Sequence, residues 1–270
     1  MLKSASKYLT LLLLFLVPSF TPAQIANIEK FRLDKDTVNL WLGNAGFGFS
    51  SKKQKNVVNE YNAYLNLVYL SKRHSYMTLN YTDLQQIDKY KFISEGYTHW
   101  RVNFFRRNRI SYEPFIQFQY DKGRGLSKRN LYGYCFRLNL LKYKKDRDRF
   151  DLGISTGAMY EEEEWNGKVV HYKTNNDSTH TQTHFIKSTS NLFAKAGLHE
   201  KITLFASVYY QARFDKFNYP RVVSDIQLTF KVTKLLSLNT GFVATYDSYP
   251  VVNGNIFTYK LNGSFQFKLN

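Results

Sequence analysis

The residue types best suited to chemistry crowd into one stretch of this 270-residue chain. "EEEEW" occupies 161–165, and His171, Asp177, Ser178, His180 and His184 follow within twenty residues. A hydroxyl nucleophile needs a base within hydrogen-bond reach, and Ser178, Asp177 and these histidines have the composition of a triad. The same residue types are what loops use for turns and local hydrogen bonds, so composition alone assigns no catalyst. The four glutamates with Asp177 suit a hard cation such as Ca²⁺ or Mg²⁺, but no EF-hand spacing is present. A solvated acidic strand end, ion-bridged to lipopolysaccharide, accounts for them with fewer assumptions. "RHS" at 73–75 places neighbours on opposite faces of an extended chain. The only cysteine is Cys135, which excludes an intrachain disulfide and a lipid-modified cysteine at an N-terminal cut. No catalytic residue, metal site or cofactor is assigned, and the chain is expected to be non-enzymatic.

The elements that would position such residues read as strands. After residue 38 the apolar period is two almost everywhere. Twelve segments are expected, near 39–50, 57–70, 74–83, 92–105, 110–121, 130–142, 149–161, 185–198, 201–214, 221–232, 235–247 and 256–270. In 130–142 one parity is Tyr132, Tyr134, Phe136, Leu138 and Leu140; in 201–214 it is Ile202, Leu204, Ala206, Val208, Tyr210, Ala212 and Phe214. Short connections ("SKRH", "RRNR", "HEK", "TK") alternate with longer ones ("DKGRGLSKR", the stretch 162–184, "SYPVVNGN"). The segments exceed the usual globular strand of ~5–6 residues and match the about 9–11 residues of a membrane-crossing strand. Tight turns on one side and longer loops on the other are the pattern of a transmembrane barrel. The final segment, "YKLNGSFQFKLN" (259–270), keeps Tyr259, Leu261, Phe265, Phe267 and Leu269 on one parity to its end. Trp41, Tyr160, Tyr210 and Tyr246, near strand ends, suit interfacial girdles. Pro114 lacks a ladder donor and needs a bulge or an unpaired position near the start of its strand.

The N-terminal 23 residues read as a secretory signal peptide: Lys3 and Lys7, an apolar run from Tyr8 to Val17, Pro18, then small residues before a cut after Ala23. That run is short of the ~20 residues a spanning helix needs. Aromatics make up 17% of the chain while mean hydropathy is only -0.43, so the rings need a face of their own. The net charge of +17, in an exported chain, points to anionic outer-membrane lipids and lipopolysaccharide instead of nucleic acid.

The inward parity is expected to carry Arg101, Arg137, Lys187, Lys195, Arg213, Lys231 and Lys260 against Glu60, Glu95, Glu113 and Asp225, with Gly46, Gly48, Gly133, Gly153, Gly157 and Gly241. That set predicts a basic lumen, which either conducts anions or is filled by internal ion pairs. The expected architecture is all-β: a single transmembrane antiparallel β-barrel of about 12 strands over 39–270, with a periplasmic lead at 24–38, both termini periplasmic and the barrel in the bacterial outer membrane. It would be a narrow channel or an envelope-integrity protein. The alternatives are a lipid-modifying barrel enzyme and a surface-binding module, each using 162–184.

The run "YEPFIQFQYDKGRGLSKRNLYGYCFRLNLLKYKKDRDRFDLGISTGAMYEEEEW" (112–165) resembles the heart of an uncharacterised outer-membrane β-barrel family that includes the salt-induced outer membrane protein. "WLGNAGFGFS" (41–50) resembles that family's opening strand, although "SKKQKN" stands where a Gly-Asn-Thr loop is expected. The resemblance implies an outer-membrane location and assembly by the barrel-assembly machinery, and it carries no activity.

Overall fold

Alternating sequences become strands because each places its large apolar side chains on one side and its small or polar ones on the other. In the computed structural model, which describes residues 39–53, 57–87, 91–145, 148–166, 180–233, 236–252 and 256–267, nearly every described residue lies in such a strand. The expected signal peptide, 1–23, and lead, 24–38, lie outside the described residues, as do His171, Asp177 and Ser178. Twelve strands form one antiparallel sheet in chain order. They are β1 (Leu40–Lys53), β2 (Val57–Leu70), β3 (Ser75–Ile87), β4 (Lys91–Asn103), β5 (Ile110–Asp121), β6 (Leu126–Lys145), β7 (Asp148–Asn166), β8 (His180–His199), β9 (Ile202–Arg213), β10 (Lys216–Lys231), β11 (Leu236–Asp247) and β12 (Phe257–Phe267).

The sheet is rolled. Asp225 on β10 acts electrostatically on Tyr97 of β4, and Lys260 on β12 acts on Glu60, Asp83 and Glu95 of β2, β3 and β4. Arg221 on β10 reaches Glu161 and Glu163 of β7. Such contacts between distant strands require their inner faces to meet across an interior. Among the described residues no ladder pairs β12 with β1.

Burial is inverted relative to a soluble domain. Many large apolar side chains are exposed, among them Phe47, Trp41, Ile186 and Phe214, while Glu113, Glu161, Glu163 and Arg129 are almost wholly buried. Tyr132, Tyr134, Phe136, Val208 and Phe214 all face outward. Trp41, Tyr69 and Tyr76 form a row of rings on the outer wall near the short turns, and Phe104, Tyr112 and Phe136 form another. Apolar side chains that turn inward collect in small groups, such as Val68, Leu70, Met77 and Leu79.

Three local features depart from simple alternation. First, residues expected in long loops continue the ladders. β7 runs through the acidic stretch to Asn166 and β8 starts at His180, so part of the expected loop 162–184 is a strand pair. β3 likewise runs to Ile87 and β10 starts at Lys216. In β3 and β7 these stretches lack a clear apolar face, yet their backbones still pair; in β10 Lys216 pairs with Arg213 and the ladder resumes only at Arg221. Second, β6 bulges between Asn139 and Leu141, which leaves both Leu140 and Leu141 on the outer wall. Third, Pro114 sits where the β4–β5 ladder is interrupted, between Phe104↔Tyr112 and Arg101↔Phe115. Phe104 and Tyr112 exchange both backbone hydrogen bonds, and two residues further on Pro114 has no N–H to offer β4.

Among the described glycines, Gly157 has the closest approach of another strand's backbone. A Cβ there would lie 1.9 Å from the Tyr134 carbonyl oxygen and 2.7 Å from Cys135 Cα, both rigid backbone, whereas a Cβ on Gly263 would meet nothing within 4 Å. Gly157→Ala is expected to destabilise the fold by about 1–3 kcal/mol, the range for overpacking, and Gly263→Ala to leave the urea midpoint unchanged. Equal midpoints for the two variants would contradict the close approach.

Candidate functional site

The inner face is where charge concentrates, and one chain of hydrogen bonds runs along it. Near the short turns Glu113 accepts from Arg101 Nη1 at 3.0 Å and from Asn103 Nδ2 at 2.5 Å. Arg101 Nε also donates to His99 Nε2 at 3.3 Å, so the His99 proton sits on Nδ1 and is given to Gln117 Oε1 at 2.9 Å. Gln117 Nε2 donates to Gln119 Oε1 at 3.0 Å, and Arg129 Nη1 reaches the same oxygen at 3.5 Å. Arg129 places Nε and Nη2 on Glu163 Oε1 at 2.6 and 2.5 Å, while Trp165 Nε1 donates to Glu163 Oε2 at 2.8 Å. Arg221 then spans from β10: its Nη1 lies 3.4 Å from Glu161 Oε2 and 3.4 Å from Glu163 Oε1, and its Nε donates to Asp247 Oδ2 at 3.0 Å. Lys187 bonds to Glu161.

These groups are paired because they must be. An isolated charge in a low-dielectric interior costs many kcal/mol, and pairing with good hydrogen-bond geometry offsets most of that. Arg129 and Arg221 fit the role because a guanidinium offers several donors in a fixed plane. Several cations also lie on rings: Arg137 is 3.8 Å from the Phe193 centroid, Arg213 3.7 Å from Phe185, Arg101 4.6 Å from Phe115, and Lys216 4.5 Å from Tyr249. Arg137 Nε also donates to Asn139 Oδ1 at 3.2 Å.

A second, acidic group lies on β2, β3 and β4. The Tyr81 hydroxyl donates to Asp83 Oδ2 at 3.1 Å and to Glu95 Oε1 at 3.4 Å. Glu60 and Lys260 complete it, with Lys260 as the countercharge.

At the far end, opposite the short turns, a small apolar group packs among the described residues. The connection after β11 folds inward and buries Val251 and Val252 against Leu126 and Trp165. Tyr249 N donates to Asp247 Oδ1 at 3.2 Å, which anchors the connection to the Arg221 pair. A cavity between Phe185, Lys187, Arg213, Lys216 and Tyr249 is about 30 Å³, room for about one water molecule. In the turn between β5 and β6, burial lowers the Arg124 pKa, and the nearby Arg221 and Arg129 charges add to that while Asp121 and Asp247 oppose it. In the turn between β9 and β10, hydrogen bonds from Arg213 hold the Asp215 carboxyl below its usual range.

The residues expected to face the interior are dispersed along this wall. Arg101 and Glu113 form one pair; Lys187 joins the Glu161 group; Glu60, Glu95 and Lys260 share the acidic group; Arg137 and Arg213 lie over rings. Asp225 is buried facing Tyr97, Lys195 is half-buried opposite Asp151, and Lys231 is exposed at the end of β10. The expected excess of inward cations does not appear among the described residues. Asp83, Asp121, Glu161, Glu163 and Asp247 are also buried, and together with the expected acids they offset the basic side chains, Arg129 and Arg221 included. Arg129 shares the parity of Arg137, and Arg221 that of Asp225, so period two contained the signal. Arg129 was missed because it lies in a polar stretch that reads as loop, whereas Arg221 is the first residue of the expected segment 221–232, at the strand's edge.

The acidic stretch is correspondingly not a solvated strand end. Glu161 and Glu163 are 1% exposed. Glu162 and Glu164 point the other way, toward Asn130 and His184, and toward Lys128, respectively. Among the described residues no group of three or more His, Cys, Asp or Glu side chains has the arrangement of a metal site. His184 lies 3.2 Å from the Tyr160 hydroxyl and 3.8 Å from Glu162, and His180 bonds Asn166. His74 closes its turn with Ser71 and packs on Phe104 and Phe105.

If the Arg221 group is one unit, its members are non-additive. Arg221→Met is expected to cost about 3–5 kcal/mol, the penalty for leaving buried partners uncompensated. Adding Glu163→Gln should cost less than the two single losses together. Urea titrations of the four proteins in detergent measure this, and additive losses would separate Arg221 from Glu163.

No protein-family model matches the chain, so the resemblance of 112–165 to the barrel family rests on those motifs alone. No curated protein matches it. Among solved structures, that of the NanC porin in a rhombohedral crystal form aligns over 84% of this chain and 100% of the porin chain, at 11% identity and a TM-score of 0.46.

Proposed function

We propose that the protein is an outer-membrane β-barrel of the channel type, non-catalytic, whose lumen is held nearly shut by its own ion pairs. One observation carries this reading: an apolar, aromatic outer wall encloses a charged, mutually bonded interior. An apolar wall of this extent would be a liability in water and is the requirement for contact with lipid. The signal peptide expected at 1–23 and the resemblance at 112–165 support export to that membrane. A filled interior also suits a role in envelope integrity.

The balance of inward charge removes the ground for a strong anion preference. Planar-bilayer recordings in a salt gradient are expected to show small conductance and weak selectivity for the native chain. Replacing Arg129 and Arg221 together with Ser removes the two side chains that fill the interior beside Glu161 and Glu163. Conductance should then rise several-fold and favour cations. A large native conductance, or a double variant indistinguishable from the native chain, would refute the ion-pair closure.

The outer wall is tested separately. Ile226, mid-strand on β10 and 46% exposed, pairs with Ala206 and Phe242. Ile226→Arg is expected to destabilise the barrel in lipid by about 2–4 kcal/mol if the site lies near the midplane. Gln227→Ser, one residue on and facing inward, should assemble normally and keep the heat-dependent gel shift of a closed barrel. Equal tolerance, or recovery of the native protein from the soluble periplasm, would overturn the membrane assignment.

A further inference from the structure

We propose that the outer wall between β2 and β6 holds a binding groove for one acyl chain of an anionic, phosphorylated lipid, with Lys128 on its head group. The proposal rests on the membrane reading above and names a specific partner for one part of the wall.

Small outward residues also meet elsewhere on the wall, as at Ala158, Ser188 and Ala212, but on β2, β3 and β4 they lie at the floor of a groove. Ala63, Thr82, Gly96 and Thr98 are small, face outward on three adjacent strands, and lie between the larger Leu65, Phe118 and Tyr120. The result is an open groove of about 610 Å³, within the about 300–1,000 Å³ typical of small-molecule sites. The inward residues Tyr64, Tyr81, Tyr97 and Gln119 each adjoin outward residues that line it, so the groove belongs to the outer wall.

The polar atoms of this area are already turned on one another. Thr82 Oγ1 and Tyr120 Oη are 3.0 Å apart, and Asn80 Nδ2 donates to the Leu65 carbonyl at 2.9 Å and to Thr78 Oγ1 at 3.2 Å. The surface left for an occupant is therefore mostly carbon. On a wall facing hydrocarbon such a groove does not stay empty, because a void forfeits dispersion contacts on both sides. An alkyl chain satisfies it and needs no hydrogen bond.

Charge selects the head group. Lys128 lines the far end of the groove with its side chain 49% exposed, and its nearest carboxylate, Glu164, is 3.9 Å away. Lys53 and Lys122 are also exposed at the far ends of β1 and β5. A phosphate there would meet a cation with donors to spare, while its chain runs down the groove.

Native mass spectrometry of the refolded full chain in detergent tests this, with dioleoyl phosphatidylglycerol and dioleoyl phosphatidylcholine as probes. The native chain should retain one phosphatidylglycerol and prefer it by about tenfold, or about 1.4 kcal/mol. Ala63→Phe fills the groove and should retain neither lipid, while Ala206→Phe, the same change on the outer face of β9, should bind as the native chain does. Lys128→Gln should keep chain binding and lose the head-group preference; if Ala63→Phe does not refold, this variant decides. Equal retention of both lipids by the native chain, or an unchanged preference in Lys128→Gln, would overturn the groove assignment. A native chain that refolds with its heat-dependent gel shift yet shows no preference refutes the groove alone, whereas one that never inserts into bilayers refutes the membrane reading with it.

Discussion

A charged side chain that turns inward on a rolled sheet is cut off from water, and every level of this structure answers to that fact. Arg221 shows how. Its guanidinium meets Asp247 on the neighbouring strand but Glu161 and Glu163 on β7, three strands away in the sheet. On a flat sheet the last two contacts would not exist. The pairing thus stabilises curvature as well as charge, and curvature in turn removes the charges from solvent and makes the pairing necessary. Twist and strand coiling bend the sheet locally; the cross-interior ion pairs favour one particular curvature of it.

Volume is handled by the same inward parity. Gly46 lies against the Tyr64 ring, Gly133 against Phe115 and Gly153 against Phe193. In each case a large ring on one strand occupies the space that a neighbouring glycine leaves. Two of those rings then carry a cation, Arg101 on Phe115 and Arg137 on Phe193. Small residues on the inner wall therefore do not by themselves open a passage. They let rings lie close to the wall, and the rings give the long basic side chains a surface on which part of their desolvation is recovered.

The fold was legible because alternation is a local property. Tyr132, Tyr134 and Phe136 declare their face from three positions in the chain, and the structure keeps them there. What a face contains is also local; what each group on it meets is not. Arg101 and Glu113 are twelve residues apart and Arg221 and Glu161 are sixty apart, and no periodicity reports which inward residues share a height across the interior. Ends of strands were hidden for a different reason. From Glu161 to Glu164 both faces are acidic, so the signal that marks a strand disappears while the backbone ladder continues, and from Lys216 to Pro220 the ladder with β9 is itself interrupted. The interior polar network was under-read for that reason, since Glu163 and Arg129 lie beyond the ends of the segments that alternation marks.

Register in those polar stretches has to be set by something other than a buried apolar face, because a slip of one residue exchanges the two faces of a strand. Here the exchange would be severe: Glu161 and Glu163 would turn out, and Glu162 and Glu164 would turn in. β6 supplies the constraint. Leu126 pairs with Trp165, the ladder then shifts by one residue, and Lys128 pairs with Glu164 and Arg129 with Glu163. The bulge puts both Leu126 and Arg129 on the inner face although three positions separate them, which strict alternation forbids. Leu126 can then seal against Trp165, Val251 and Val252 at the mouth, while Arg129 meets the carboxylate it must neutralise and Lys128 is directed outward beside Glu164. One extra residue, Ser127, thus separates the inner ion pairs from the outer basic rim, and it does so at the edge where the apolar pattern no longer specifies which way a side chain points.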